Sequence, residues 1–380
     1  MPAVSDAVWS EQGTTPDAIE SALRELLSTK HAENGGYVPA RVLNMLVFVE
    51  SDYSGEIANR LRRVGRYHAS RTVVLSYEPH REQLNARVTI ASEGEPGPEE
   101  VALLRETAIV EIGERHLDDL QTIADPLVVS DLPTLLWSPH RHPEAADALL
   151  DLAQATLIDS IEEPVWDAAI ERAGTLSERT YVVDLAWLRS TPWRERIAAT
   201  FDTPRMRGEL DLIDSLEVRH HPDSTVAAML FVGWLASRLG WELGHTVIEG
   251  RTGHDGVLSG SARSAAGADI ELHLRESPEL QVPGLAGVRL SSSSGVQLSL
   301  DRGPGGLRAH HREQDGQEHT GTLLGASRGE GGILGEGIRQ ALLRDPTYRP
   351  ALDAARAMLP ETTDVTDGTA VTATTGATAA

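Results

Sequence analysis

The chain of 380 residues has no cysteine and only one lysine, Lys30. Without cysteine, disulfides, thiolate metal sites, cysteine nucleophiles and thiol-based redox switches are all excluded. Schiff-base chemistry and a Walker A loop both need a placed lysine, and no glycine-rich loop precedes Lys30. This composition favours a cytoplasmic protein.

Long apolar runs and an excess of basic residues are also missing. The longest apolar stretches, such as Val226 to Ala236, fall short of the ~18 residues of a membrane span. Met1 to Ser10 lacks the basic cluster and apolar core of a signal peptide. Lys and Arg number 34 against 57 Asp and Glu, a net charge of −23, which repels nucleic acid and anionic lipid. We therefore expect neither a membrane nor a nucleic acid as partner.

Apolar runs alternate with helical patterns through the first 170 residues. Thr15 and Pro16 mark a helix start, and Val42 to Val49 is a nearly unbroken apolar run of the kind found in strands buried on both faces. A helical stretch from Asp52 to Arg66 and a second run from Thr72 continue this βαβ pattern. Residues 1–170 are therefore predicted to form a layered α/β domain with a mostly parallel or mixed sheet.

The second half of the chain shows a different periodicity. A helix from Ser224 to Leu239 is apolar on all sides and should be buried. Apolar and polar residues then alternate, and Val288 to His311 predicts an antiparallel meander. Residues 171–360 are expected to form an α+β domain. Residues 361–380 are rich in Thr and Ala, with too little to bury, and predict a disordered tail.

Three patterns suggest enzyme chemistry, and each lacks a necessary part. Gly325 to Gly329 matches the G-x-S-x-G nucleophile elbow around Ser327, but no histidine follows His319 to complete the triad. His140 and His142 have no zincin spacing. The glycines between 329 and 337 do not have the spacing of G-x-G-x-x-G. We predict no catalytic residue, no metal and no cofactor.

Tryptophan is concentrated in a few segments, although aromatic residues make up only 4% of the chain. Arg189, Trp193 and Arg194 lie near one predicted helix start, where Thr191 could cap and Pro192 suits the first turn. Trp beside Arg is typical of protein interfaces, and core burial of Trp193 is the alternative. Four segments are unlike generic core: His68 to Arg71, and the three that hold five of the seven tryptophans, Asp131 to Pro139, Asp184 to Glu195 and Gly233 to Trp241.

In the first of these segments, His68, Ser70 and Arg71 precede the strand that starts at Thr72. Ligands in α/β sheets favour the carboxyl ends of strands, so a position at the amino end favours an interface or structural role. Binding of a phosphate by Arg71 is the alternative. The candidate interface therefore consists of His68, Ser70, Arg71, Arg189, Trp193 and Arg194.

These four segments, in the same order, resemble the OpcA family of glucose-6-phosphate dehydrogenase assembly proteins. The D-L-A-W, T-x-W-R and G-W-L-A-S-R blocks carry the resemblance. It implies a two-domain, non-catalytic protein that binds glucose-6-phosphate dehydrogenase and promotes its active oligomeric state, as an activator in the oxidative pentose phosphate pathway. Ala69 and Ser138 depart from the family pattern, where proline and tryptophan are usual. The alternative is a sugar-phosphate-binding protein or an enzyme that uses the first domain.

Overall fold

The computed structural model describes residues 6–39, 41–64, 69–92, 94, 101–249, 257–324 and 329–359. Two sheets organise these residues. The structure therefore has the two-sheet α/β architecture that the sequence predicts. His68, Ser327 and the predicted tail lie outside the described residues.

The first sheet has a doubly wound core of six parallel strands in the order β6-β4-β3-β7-β8-β9. Strands β5 and β1 extend it with antiparallel pairing, and β2 pairs with the start of β6. The strands are β1 Ala7–Glu11, β2 Tyr37–Pro39, β3 Leu43–Glu50, β4 Ser70–Tyr77, β5 Asn85–Ser92, β6 Ala102–Ile112, β7 Thr134–Trp137, β8 Ala155–Ile158 and β9 Tyr181–Asp184.

Five helices accompany these strands. They are α1 Pro16–Glu33, α2 Ser51–Val64, α3 Leu120–Ala124, α4 Pro143–Leu149 and α5 Trp166–Arg179. The predicted cap at Thr15 is confirmed, because its hydroxyl accepts a hydrogen bond from Ala18 N at 3.3 Å. Residues 43–49 of β3 are all buried, as expected of a strand covered on both faces.

A helical connector follows the first sheet. It comprises α6 Leu185–Arg189, α7 Thr191–Phe201 and α8 Pro204–Arg207. The sequence predicts one helix from Asp184 to Thr200, but the helix breaks at Ser190. Pro192 explains the break because it has no N–H to donate back to α6. Ser190, one residue before the predicted Thr191, is the N-cap residue of α7.

The second sheet is mostly antiparallel, and β15 to β18 form the predicted meander. Its order is β11-β13-β14-β10-β15-β16-β17-β18, and β12 pairs with β13. The strands are β10 Ile213–His220, β11 Glu242–Leu243, β12 Val247–Glu249, β13 Val257–Arg263, β14 Asp269–Glu276, β15 Leu285–Ser292, β16 Gln297–Gly303, β17 Gly306–Arg312 and β18 Glu318–Leu324.

The last helices connect the two layers. They are α9 Thr225–Leu239, α10 Gly329–Leu343 and α11 Tyr348–Ala357. Residues 225–236 of α9 are all buried, as predicted. Helix α11 packs on α9 and α5, whereas α10 returns to the first sheet and contacts α2, α6, β8 and β9.

The first sheet extends beyond the boundary that we predict at residue 170. That residue lies inside α5, and β9 completes the parallel sheet only at Asp184. We therefore propose a division after Asp184, with α10 as a helix of the second half that covers the first sheet.

Close approach of α9 and α11 requires a glycine, which gives a test of this packing. A Cβ at Gly233 would lie 2.2 Å from the carbonyl oxygen of Ala351. Gly233→Ala should therefore lower the free energy of unfolding by at least the 1–3 kcal/mol typical of overpacking. Gly55→Ala is the matched control, since a Cβ at Gly55 in α2 meets nothing within 4 Å. We expect that variant to gain roughly 0.5–1 kcal/mol from helix propensity. Urea denaturation measures both, and equal effects would contradict the proposed packing.

Candidate functional site at the carboxyl edge of the first sheet

The carboxyl ends of β3 and β7 meet at the point where the strand order reverses. In doubly wound sheets this switch point is where ligands bind. β4 lies on one side of β3 and β7 on the other. A cleft of 270 Å³ opens beside it, next to the ends of β7 and β8, lined by Ser138, His142, Ser160, Arg172 and apolar side chains that include Leu157.

The turn that would hold a dinucleotide is absent at this switch point. Dinucleotide-binding sheets place a glycine-rich turn between the first strand and its helix, with the pyrophosphate on the helix N-terminus. Here β3 ends at Glu50 and α2 begins at Ser51, with Asp52 in its first turn. Two carboxylates therefore stand where a pyrophosphate would need donors.

The loop after β7 fills the space above this junction. His140 and Arg141 both have left-handed backbone conformations, with φ of 65° and 62°. The His140 ring stacks on Tyr53 with centroids 4.3 Å apart, and His142 meets Phe48 edge-on at 5.1 Å. Left-handed backbone in two consecutive non-glycine residues is costly and concentrates at functional sites.

A buried carboxyl group supports this loop. His140 N donates to Glu162 Oε2 at 3.0 Å. Burial raises the pKa of Glu162 to about 7, and the negative charge of Asp159 adds to the rise. Burial also lowers the pKa of His142. Near neutral pH the Glu162 carboxyl group is therefore partly protonated, and the lowered pKa of His142 favours a neutral imidazole in the same cleft.

The histidine loop has unsatisfied polar atoms and, among the described residues, no cluster of metal ligands. Within the described ranges, no group of three or more His, Asp and Glu side chains has the arrangement to hold a metal ion. Among the same residues, Ser138 Oγ, His140 Nε2 and His142 Nε2 are buried without a hydrogen-bond partner. These atoms are unsatisfied hydrogen-bonding groups at the histidine loop.

Two of the predicted interface residues are in the protein interior. Trp193 is 2% exposed and Arg194 8%. The Arg194 guanidinium lies over the Trp187 ring at 3.4 Å and donates to Ser190 Oγ and Thr191 Oγ1. Burial lowers the pKa of Arg194 to about 10, against the opposing charges of Asp345 and Glu195. The structure thus favours the core alternative for these two side chains.

Arg189 and Arg71 are also held by buried ion pairs. Arg189 makes a bidentate contact with Asp159, with both N–O distances 2.7 Å. Arg71 donates to Glu106 at 2.8 Å, and Arg41 contacts the same carboxylate. An arginine paired in this way is not available to a phosphate. Ser70 is partly exposed, so it keeps the accessibility that an interface requires.

Sequence reasoning weighed His140 and His142 but missed Tyr53 and Glu162. A histidine pair that directly follows a buried strand was the available signal for the loop. Nothing in the sequence indicates the left-handed conformation, because neither residue is a glycine. The pairing of Glu162 with a backbone N–H 22 residues away also depends on how the strands assemble.

The raised pKa of Glu162 predicts a pH-dependent stability difference. The pKa of Glu162 is higher in the folded state than in the unfolded state. The stability that its proton contributes is therefore fully present below about pH 4.5 and is lost as the pH rises through about 7. Glu162→Gln keeps an acceptor for His140 N and has no charge to bury. Relative to the unmodified chain, the variant should gain stability between pH 5 and pH 8 in urea denaturation. Glu144→Gln, at an exposed position near the same loop, should show no such gain, and identical profiles for the two variants would contradict the assignment.

No helix among the described residues is both long and apolar enough to cross a bilayer. The solved structure of an oxidoreductase from Sinorhizobium meliloti superposes with a TM-score of 0.50 at 14% identity, covering 83% of this chain and 94% of that one. At this identity the likeness shows the fold alone.

Sequence relatives identify the family. Two proposed OxPP cycle proteins OpcA, from Synechococcus elongatus and Synechocystis sp., are 29% and 28% identical over 133 and 130 residues. These matches cover 34% and 33% of this chain and only 30% and 27% of the relatives. The family model for the glucose-6-phosphate dehydrogenase subunit N-terminal domain matches residues 62–175, and the model for its C-terminal domain matches residues 180–352. With both domain models matched in succession, the chain belongs to the OpcA family of glucose-6-phosphate dehydrogenase subunits.

Proposed function

We propose that this chain is a non-catalytic, cytoplasmic accessory protein that binds glucose-6-phosphate dehydrogenase and promotes its active oligomeric state. Family membership supports the partner. The observation that carries the absence of catalysis is the junction of β3 and α2, where Glu50 runs into the helix without a glycine turn. A hydride-transfer enzyme with this sheet order would need that turn for its cofactor.

The sheet order by itself does not establish a reaction, and the residues at the switch point argue against hydride transfer. His140 of the loop after β7 stacks on Tyr53 of α2, which joins the two elements that flank the switch point. The carboxylates of Glu50 and Asp52 lie beside the helix start and would repel a pyrophosphate. We therefore infer that the first sheet has a structural role in this protein. The same fold occurs with many functions, and the residues at the site decide which function a protein has.

An activator must bind one state of the dehydrogenase better than another. If it raises the equilibrium affinity of the dehydrogenase for glucose 6-phosphate, that sugar must tighten the complex by the same factor. A coupling of ~1–3 kcal/mol corresponds to roughly 5- to 150-fold. This reciprocity separates an allosteric partner from a simple stabiliser of the enzyme.

The test combines assembly with kinetics. Analytical ultracentrifugation of the dehydrogenase with and without the chain should show a shift to the larger oligomer, and initial rates should rise in parallel. Titrating the complex with glucose 6-phosphate should tighten it by the factor seen in the kinetics. The chain alone should bind no NADP and reduce none. A chain that reduces NADP with a sugar substrate, or that forms no complex at micromolar concentrations, would contradict the proposal.

Burial of Trp193 predicts what its removal does to this activity. Trp193→Ala should lower the free energy of unfolding by about 3–5 kcal/mol, as for other large aromatic truncations in a core. The fraction that remains folded should bind the dehydrogenase with unchanged affinity. Thermal melting and a binding titration at low temperature measure the two effects separately. A well-folded Trp193→Ala variant that binds the dehydrogenase more weakly would instead support a direct contact between Trp193 and the dehydrogenase.

A further inference from the structure

A second cleft lies between the helical connector and the meander of the second sheet. Helices α7 and α8 form one wall, and strands β16 to β18 form the other. Its volume is 390 Å³, within the range of small-molecule sites. Leu298 also lines the cleft, together with Ala309 and Gly321, which are paired across β17 and β18. The cleft is separate from the histidine loop of the first sheet.

Basic side chains dominate its lining. Arg196 and Arg205 approach from the helices, and His311 and His319 from the strands, with Glu313 as the acidic group among the described lining residues. The chain as a whole has a net charge of −23. A cleft with two arginines, two histidines and one carboxylate is therefore unlike the average surface, and it attracts anions.

Two nitrogen atoms in this cleft have no hydrogen-bond partner among the described residues. Arg196 Nε and His311 Nε2 are buried, and neither has a hydrogen-bond partner among the described residues. Buried polar atoms are nearly always satisfied, and each exception needs a reason such as a bound ligand or ion. Arg196 Nε always donates, and His311 Nε2 donates when its ring is protonated. Both residues line the same cleft, so one ligand could satisfy both.

The carboxylate of Glu313 is already engaged by neighbours. It forms an ion pair with Arg205, and its Oε1 lies 3.3 Å from His319 Nε2. The described residues contain no set of three ligands that could hold a metal ion. Glu313 Oε2 is itself without a hydrogen bond of good geometry, but the ion pair with Arg205 compensates the charge of this carboxylate. Arg196 is then the remaining charged group of the lining, and its positive charge favours an anion over a cation.

We propose that this cleft binds the phosphate group of a phosphorylated small molecule, with Arg196 and His311 as its principal donors. Arginine binds phosphate through charge-assisted hydrogen bonds. The remaining volume accommodates the organic part of the ligand. The proposal does not depend on glucose-6-phosphate dehydrogenase, since it concerns the isolated chain.

Protonation of His311 should be linked to binding. Burial lowers the pKa of His311; Glu313 opposes that effect, whereas His319, Arg205 and His310 reinforce it. A bound dianion favours the protonated imidazole, so binding should tighten as the pH falls from 8 to 6. Sulfate is the suitable probe for this profile because its own charge stays constant across that range.

The experiment is calorimetric titration of the full chain with inorganic phosphate, sulfate, glucose 6-phosphate and glucose at fixed ionic strength. Phosphate-containing ligands and sulfate should bind, and glucose should not. Arg196→Gln should weaken binding roughly 10- to 100-fold, the loss of a charged hydrogen bond. His311→Gln should weaken binding and flatten the pH profile for sulfate. Tighter binding of glucose 6-phosphate than of inorganic phosphate would show that the ligand is a phosphate ester and that its organic part contributes to binding.

Arg312→Gln is the matched control. Arg312 follows His311 on β17 and points to the opposite face of the sheet, where it is exposed. This variant removes the same charge without touching the cleft, so its affinity should be unchanged. Equal weakening by Arg312→Gln and Arg196→Gln, or no binding of any anion, would overturn the proposal. A melting curve for each variant, with Arg196→Lys as a charge-preserving check, separates lost binding from lost folding.

Discussion

The structure depends on a buried polar junction where β9 leads into α6. Asp184 is fully buried; it caps α6 through Ala186 N and accepts hydrogen bonds from Ser160 N and Oγ. Burial raises its pKa to about 6. On the next turn, Trp187 Nε1 donates to Asp345 at 3.0 Å. Asp345 precedes α11, so these bonds join the end of the first sheet to the last helices of the chain. Buried polar groups of this kind specify one arrangement because every alternative leaves them unpaired.

The sequence was sufficient to predict which elements are buried, but it was not sufficient to place Trp193 and Arg194. Continuous apolar residues in β3 and the all-round apolar pattern of α9 are sufficient to predict burial, because periodicity reports local exposure. Trp193 and Arg194 could not be assigned in the same way, because Trp and Arg are common both in interfaces and in cation–π contacts of cores. The decisive partner, Asp345, is about 150 residues away. The family blocks D-L-A-W and T-x-W-R therefore reflect internal packing in this structure.

At the carboxyl edge of the first sheet, the strand order matches a known fold but the residues do not match the site that this fold usually carries. The parallel strand order is that of dinucleotide-binding domains, yet the residues at the switch point are Glu50, Ser51 and Asp52. This could be read from the sequence as a missing glycine turn. The stacking of His140 on Tyr53 could not be read from the sequence. It accompanies a left-handed backbone at His140 and Arg141, a conformation that L-amino acids rarely adopt. The basic cleft beside α7 was missed for a related reason, since its helix residues lie between 92 and 125 positions away from its strand residues.

The return of α10 to the first sheet affects how the protein is made. Gly337 of α10 lies where a Cβ would contact Leu157 of β8 and Leu185 of α6. That part of the first layer is therefore covered by residues synthesised more than 140 positions later. During translation, the first sheet leaves the ribosome with an apolar face still open, and that face cannot close until α10 has been synthesised. Long-range closure of this type slows folding and prolongs exposure to aggregation. Chaperones that hold open apolar surfaces would then act on the first half of the chain while the second half is still being synthesised.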